Sequence, residues 1–115
     1  MTALEVEQLL AACPFLASHL DADDFDLSTV VFGATAQLLI ARKLSQHEED
    51  AVFAHFNDLA ERGDADETLG TGAIELFNDT PAAQQLARRK LTGRARTMLD
   101  EYRELWGQPD YGRLA

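Results

Sequence analysis

Positive charge is scarce in this sequence, which holds 10 Lys and Arg against 20 Asp and Glu and carries a net charge of −10. The scarcity is uneven. Residues 1–79 contain 16 acidic and 3 basic side chains, a balance of −13, whereas residues 80–115 contain 4 and 7, a balance of +3. The acidic part would repel phosphate, so nucleic acid and anionic lipid are poor partners and a basic protein is a good one. Acidity that serves only solubility is the alternative.

Cysteine and long apolar runs are scarce as well. Cys13 is the single cysteine, which excludes an intramolecular disulfide and fits a reducing compartment. The longest apolar stretch, residues 30–41, is interrupted by Gly33 and Gln37 and is too short to cross a bilayer. The first cationic side chain is Arg42, whereas a secretory leader begins with basic residues. We therefore expect a cytoplasmic protein without a membrane partner.

The sequence is rich in helical patterning. Apolar side chains recur at helical spacing in about six segments, and no segment alternates in the way that a strand does. We expect capping boxes at the starts of the first and third helices, a serine cap on the second, and a proline in the first position of the fifth. The residues concerned are Thr2 with Glu5, Ser45 with Glu48, Ser28, and Thr80 with Pro81.

The predicted helices also indicate how the core is built. The second helix is apolar nearly all round, which is typical of a helix packed on several sides. Gly70 and Gly72 weaken the fourth helix, and the close approach of a neighbouring helix would compensate for this. The third helix, which Gly63 should end, is the most clearly amphipathic segment. One hydrophobic centre is expected to include Phe53, Phe56, Leu99, Tyr102 and Trp106.

These elements predict a single all-α domain over residues 1–107, followed by an irregular tail over residues 108–115. Short connections favour antiparallel neighbours, so the helices, about six in number, should form stacked αα-hairpins. The similarity between helical pairs is weak, and both a HEAT-like stack and an irregular bundle remain open.

Residues that could support catalysis or bind metal form no complete motif. Residues 64–75 match part of a calcium loop, but Leu69 occupies the position that requires glycine. The histidines have no zinc spacing, and His47 and His55 are expected at the surface. Glu75 is expected to be a hydrogen-bonded structural carboxylate. We therefore expect no catalytic residue, no metal and no cofactor, and a protein that is not an enzyme.

Three features from Ser45 to Gly107 carry a resemblance to a known family. They are Val52-Phe53-x-x-Phe56-x-x-Leu59-Ala60, Ile74-Glu75-Leu76-Phe77 and Leu105-Trp106-Gly107. This part of the chain resembles small helical bacterial proteins without an assigned activity, many of them encoded beside polymorphic toxins and regarded as immunity proteins. Members often have a Gly-Pro pair where this chain has Thr92-Gly93. The resemblance implies an inhibitor of a cognate toxin, and the family offers no catalytic residues to carry over.

Charge and resemblance together predict a protein-binding surface. A nuclease toxin must be basic to hold nucleic acid, so an acidic inhibitor would complement it. The densest negative surface should lie on the outer face of the third helix and just beyond it, while the basic run after residue 87 pairs within the chain. The predicted partner-binding residues are Asp50, Asp58, Glu61, Asp64, Asp66 and Glu67. The alternative is an interaction or scaffold domain with another partner, including a second copy of the chain.

Overall fold

A computed structural model describes residues 1–114 of the chain as helices joined by short loops, with no strand in that range. Six α-helices have seven residues or more, which confirms the all-α class and the expected helix number. The helices are α1 (Leu4–Ala12), α2 (Ser28–Ile40), α3 (Gln46–Arg62), α4 (Asp66–Gly72), α5 (Pro81–Lys90), α6 (Gly93–Leu105) and the single turn α7 (Tyr111–Leu114), and the 3₁₀ segments are Pro14–Ser18, Ala22–Asp24 and Ile74–Asn78.

Three of the predicted helix signals are confirmed. The backbone N–H of Ser45 donates to Glu48 Oε1 at 2.9 Å, and the backbone N–H of Glu48 donates to Ser45 Oγ at 3.2 Å, which closes the capping box of α3. Gly63 ends the same helix with φ 75°, a left-handed conformation that suits glycine. Thr80 caps α5, accepting the N–H of Ala83 at 3.2 Å.

Two other predicted caps are wrong. Ala3, not Thr2, is the N-cap residue of α1, and Glu5 Oε1 accepts the Thr68 hydroxyl at 3.3 Å instead of closing a capping box. The N-cap residue of α2 is Leu27, so Ser28 is the first helical residue and forms no cap. At Glu5, a hydrogen bond between α1 and α4, which are far apart in sequence, therefore replaces the predicted capping-box hydrogen bond.

The glycines of α4 lie where other helices approach most closely, as predicted. A Cβ atom on Gly70 would overlap the Tyr102 hydroxyl, and one on Gly72 would lie 3.1 Å from Phe32 Cβ. The prediction of one continuous short helix in this region is wrong. Helix α4 ends at Gly72, and the chain continues as the 3₁₀ segment Ile74–Asn78.

The core is organised around phenylalanine rings. Phe32 stacks on Phe56 with ring centroids 5.8 Å apart, and Phe53 lies 5.7 Å from Phe77. Of the predicted core residues, Phe53, Phe56 and Leu99 are buried and Tyr102 is partly buried against the core. The prediction that Trp106 belongs to the core is wrong, because this residue is 62% exposed. Helical spacing shows which residues share a face, but it does not show how far along the helix the core extends.

The closest helix contacts join elements that are not consecutive in sequence. Helix α2 packs on α4, α3 packs on α6, and the 3₁₀ segment Ile74–Asn78 packs on α6, whereas α2 and α3 barely touch. Of the two arrangements left open, this pattern favours the irregular bundle. No helix within residues 1–114 has the length and apolar character that a membrane span would require.

The backbone of residues 108–114 lies against the bundle and ends in a helical turn, where an irregular tail over residues 108–115 was predicted; residue 115 is outside the described residues. Gln84 Nε2 donates to the Pro109 carbonyl at 3.0 Å, and Gln84 Oε1 accepts the Tyr111 N–H at 2.8 Å. An Arg88–Asp110 ion pair at 2.7 Å adds a charged contact, and the turn α7 follows. The buried glutamine of α5 thus holds a segment more than 20 residues away along the chain, which no local pattern indicates.

Candidate protein-binding surfaces

The six predicted partner-binding residues lie along one stretch of the structure. Asp50, Asp58 and Glu61 are on α3, Asp64 is in the loop that follows, and Asp66 and Glu67 begin α4. Asp66 is partly buried and the other five are exposed. The expected continuity from the end of α3 to the start of α4 is therefore present. How much of this surface is negative depends on what faces each carboxylate.

Cations of the C-terminal part neutralise several of these carboxylates. Lys90 Nζ lies 2.7 Å from Asp50 Oδ1, and Arg94 uses both terminal nitrogens on the two oxygens of Asp66, one of them at 2.6 Å. Asp58 pairs with Arg62 one turn along α3 at 3.4 Å. The hydrogen bonds from Arg94 lower the pKa of Asp66 below its usual value. The predicted pairing within the chain is thus observed for Lys90 and Arg94.

Glu61 has a structural contact at the start of α6. Its Oε1 accepts the backbone N–H of Arg94 at 2.8 Å, and the Arg94 guanidinium donates to the Ala60 carbonyl at 2.8 Å. A carboxylate at the first turn of a helix satisfies an unpaired N–H group and complements the helix dipole. Glu61 and Asp66 therefore join α3, α4 and α6.

Asp64 and Glu67 are the members of the predicted set whose charge no described side chain of the protein compensates. Both side chains are exposed, and neither forms an ion pair or a side-chain hydrogen bond with any residue of the described part. They remain candidates for a partner's cations, in a position that continues from the end of α3.

The acidic loop at residues 21–26 is the larger source of uncompensated charge. Asp21 Oδ1 accepts the Asp23 N–H at 3.0 Å and so shapes its own 3₁₀ turn. No ion pair reaches Asp21, Asp23, Asp24 or Asp26 from the side chains that the structure describes, residues 1–112. The sequence already contains the signal, since no Lys or Arg precedes Arg42.

Helix α2 packs on α1, α4 and α5, as its predicted packing on several sides requires, but one of its faces is apolar and exposed. The buried side consists of Val31, Phe32, Thr35, Ala36 and Leu39. On the opposite side Leu27 and Val30 remain 48% and 47% exposed, and Ala34, Gln37 and Ala41 continue the line at alternating spacings of four and three residues. Such spacing is that of a coiled-coil seam.

A cleft lies between the 3₁₀ segment Ile74–Asn78 and the end of α6. It has a volume of about 310 Å³ and is lined by Glu75, Leu76, Asp79, Trp106 and Gln108. The expectation for Glu75 is wrong in part: its Oε2 atom is buried and has no hydrogen-bond partner in the described part of the chain. Gln108 Oε1 is in the same condition, while Gln108 Nε2 donates to Asp79 Oδ1 at 2.8 Å.

Among the side chains that could bind metal or act as nucleophiles or bases, Cys13 and His55 are both buried. No three His, Cys, Asp or Glu side chains within the described residues are arranged to hold a metal ion. Cys13 is fully buried, and burial raises the pKa of its thiol. His55 is buried on α3, which corrects its expected surface position, and desolvation lowers the pKa of its imidazole, assisted by the charge of Arg62.

Comparison with family models, with curated proteins and with solved structures gives no match to this chain.

Proposed function

We propose that this chain is a non-enzymatic, protein-binding inhibitor that neutralises a cognate basic toxin in the cytoplasm. The uncompensated negative charge carries the proposal. Residues 1–41 contain six acidic side chains and no Lys or Arg, and the ion pairs of the described chain leave all six unneutralised. A surface of this kind attracts a basic protein and repels nucleic acid. The resemblance to immunity proteins supports the same function.

The proposed mechanism is obstruction of the toxin by a bound protein. Exposed carboxylates at the rim of an interface accelerate association and make it dependent on salt, whereas desolvated contacts at its centre determine how long the complex lasts. Asp23, Asp24, Asp64 and Glu67 are suited to the first role because they have no cation of their own. Asp50, Asp58 and Asp66 are less suited, because a partner would have to displace a cation that is already bound.

Co-expression with the toxin encoded next to this chain tests the proposal. We expect the unaltered protein to restore growth, and Asp23→Lys/Asp24→Lys or Asp64→Lys/Glu67→Lys to reduce protection and slow association. Glu101→Lys/Glu104→Lys is the matched control, because it makes the same change in net charge on exposed positions of α6, outside the proposed binding surface. Failure of the unaltered protein to protect, or to bind the purified toxin, would exclude this function.

An interaction domain that pairs with a second copy is the second candidate. The exposed apolar line on α2 favours it. Ala34 lies at the middle of that line, with Leu27 and Ala41 at equal distances along the chain, so two antiparallel copies would bring matching positions together. Light scattering of the wild type and of Ala34→Glu separates the candidates. A dimer that the substitution dissociates supports the scaffold, and a monomer at all concentrations removes it.

A further inference from the structure

The cleft beside Trp106 has negative charge and hydrogen-bond acceptors but no cation. Glu75 and Asp79 contribute two carboxylates, Gln108 contributes an amide, and Leu76 and Trp106 supply the apolar part. Among the residues that line it, none is Lys, Arg or His. Elsewhere in the molecule, carboxylates of α3 and α4 face cations of the same chain, as Asp50 and Asp66 do.

Two of the acceptors in this lining lack donors. Glu75 Oε2 and Gln108 Oε1 are both buried and unpartnered. The Gln108 amide cannot turn to relieve this, because its nitrogen donates to Asp79 Oδ1 at 2.8 Å and an oxygen there would face a carboxylate. A buried acceptor without a donor is unfavourable, so a group with several N–H donors would be stabilised in this cleft.

We propose that the cleft binds the guanidinium group of an arginine side chain presented by a basic protein partner. The guanidinium is planar, always charged and carries five N–H donors, enough for the carboxylates of Glu75 and Asp79 and the oxygen of Gln108. Its flat face can pack on the indole of Trp106. The source of this arginine rests on the proposed function, whereas its chemistry follows from the lining of the cleft.

The exposure of Trp106 fits this ligand. An indole that is 62% exposed has much apolar surface in contact with water, and a partner that covers it removes that surface from solvent. Tryptophan and arginine are the residues that most often dominate protein interfaces. Because Glu75 Oε2 is covered in the free protein, side chains around it must shift for a guanidinium to reach this oxygen.

Trp106 also provides the measurement, because it is the only tryptophan of the chain. The probe is the peptide acetyl-Gly-Arg-Gly-amide, titrated while the indole fluorescence is followed. The matched peptide carries citrulline, which has nearly the shape of arginine without its charge. We expect a saturable change in fluorescence with the arginine peptide. The citrulline peptide should bind at least roughly tenfold more weakly, because charge-assisted hydrogen bonds are the stronger ones.

Glu75→Gln tests the cleft from the protein side. It keeps the shape of the side chain and removes its charge. We expect it to weaken the affinity for the arginine peptide by roughly tenfold. Glu101→Gln is the control, since it removes one charge from an exposed side chain of α6 that does not line the cleft. It should leave the affinity unchanged. If Glu75→Gln does not fold by circular dichroism, Asp79→Asn takes its place.

Three results would overturn the proposal: no saturable response to the arginine peptide, an equal response to the citrulline peptide, or equal weakening of arginine-peptide binding by Glu75→Gln and Glu101→Gln. The cleft and the proposed function can fail separately. Peptide binding without protection against the toxin supports the cleft and contradicts the function. Protection that persists although the peptide does not bind supports the function and overturns the cleft.

Discussion

Acidic side chains occur in two regions of this molecule that differ in what faces them. On α3 and α4, Asp50 pairs with Lys90, and Asp66 pairs with Arg94. In residues 21–26 four aspartates lie close together in sequence, and no cation among the described side chains, residues 1–112, pairs with them. The first region uses its charge to join helices, whereas the second keeps its charge for solvent or for a partner. Acidic composition alone does not distinguish these roles.

The largest expected effect comes from the buried side of the first region. Phe56→Ala should lower the free energy of unfolding by about 3–5 kcal/mol, because it removes a ring that packs on Phe32 and Phe53. Denaturant unfolding followed by circular dichroism measures this. Leu105→Ala, at a side chain that is 70% exposed, should change stability by less than about 0.5 kcal/mol. Equal effects would show that α3 does not bury the predicted face.

A smaller effect should separate the two acidic regions directly. Asp66→Asn should lower the melting temperature by up to about 4 °C at neutral pH, because it weakens the pair with Arg94. Asp23→Asn should not lower it, since Asp23 pairs with no described cation. The folded pKa of Asp66 is lowered, so its contribution is present above its unfolded pKa and is lost as pH falls through the folded value.

The Asp66→Asn deficit should accordingly disappear in acid. Melting curves of the wild type and the variant between pH 7 and pH 3 test this, with Asp23→Asn as the control. If Asp23→Asn destabilised the protein as much as Asp66→Asn does, the proposed difference between the two regions would be wrong.

The smallest expected effect concerns His55, beneath the acidic face of α3. Its folded pKa is lowered by desolvation, so the unfolded chain takes up a proton more readily. Stability is therefore highest above the unfolded pKa, about 6.5, and falls as pH drops from there towards the folded value. His55→Leu should reduce the loss of stability between pH 7 and pH 5. An unchanged pH profile would contradict the buried, neutral assignment.

The predicted acidic face shows which features of a surface the sequence can predict. Its six residues do lie together, because α3 and the loop after it are continuous in sequence. Their neutralisation could not be predicted residue by residue, since Lys90 reaches Asp50 across 40 positions and Arg94 reaches Asp66 across 28. The only signal available was the excess of cations after residue 79, which suggested pairing without specifying partners.

Local chemistry allowed the sequence by itself to determine the all-α class, the cap of α3 at Ser45, its end at Gly63 and the buried phase of Phe53 and Phe56. These features depend on residues a few positions apart, and helical geometry relates such residues directly. The tertiary structure alone decided that Glu5 bonds Thr68, that the tail docks on Gln84, and that Trp106 opens onto a cleft. Each of these depends on which distant segments meet, and spacing along one helix carries no information about that.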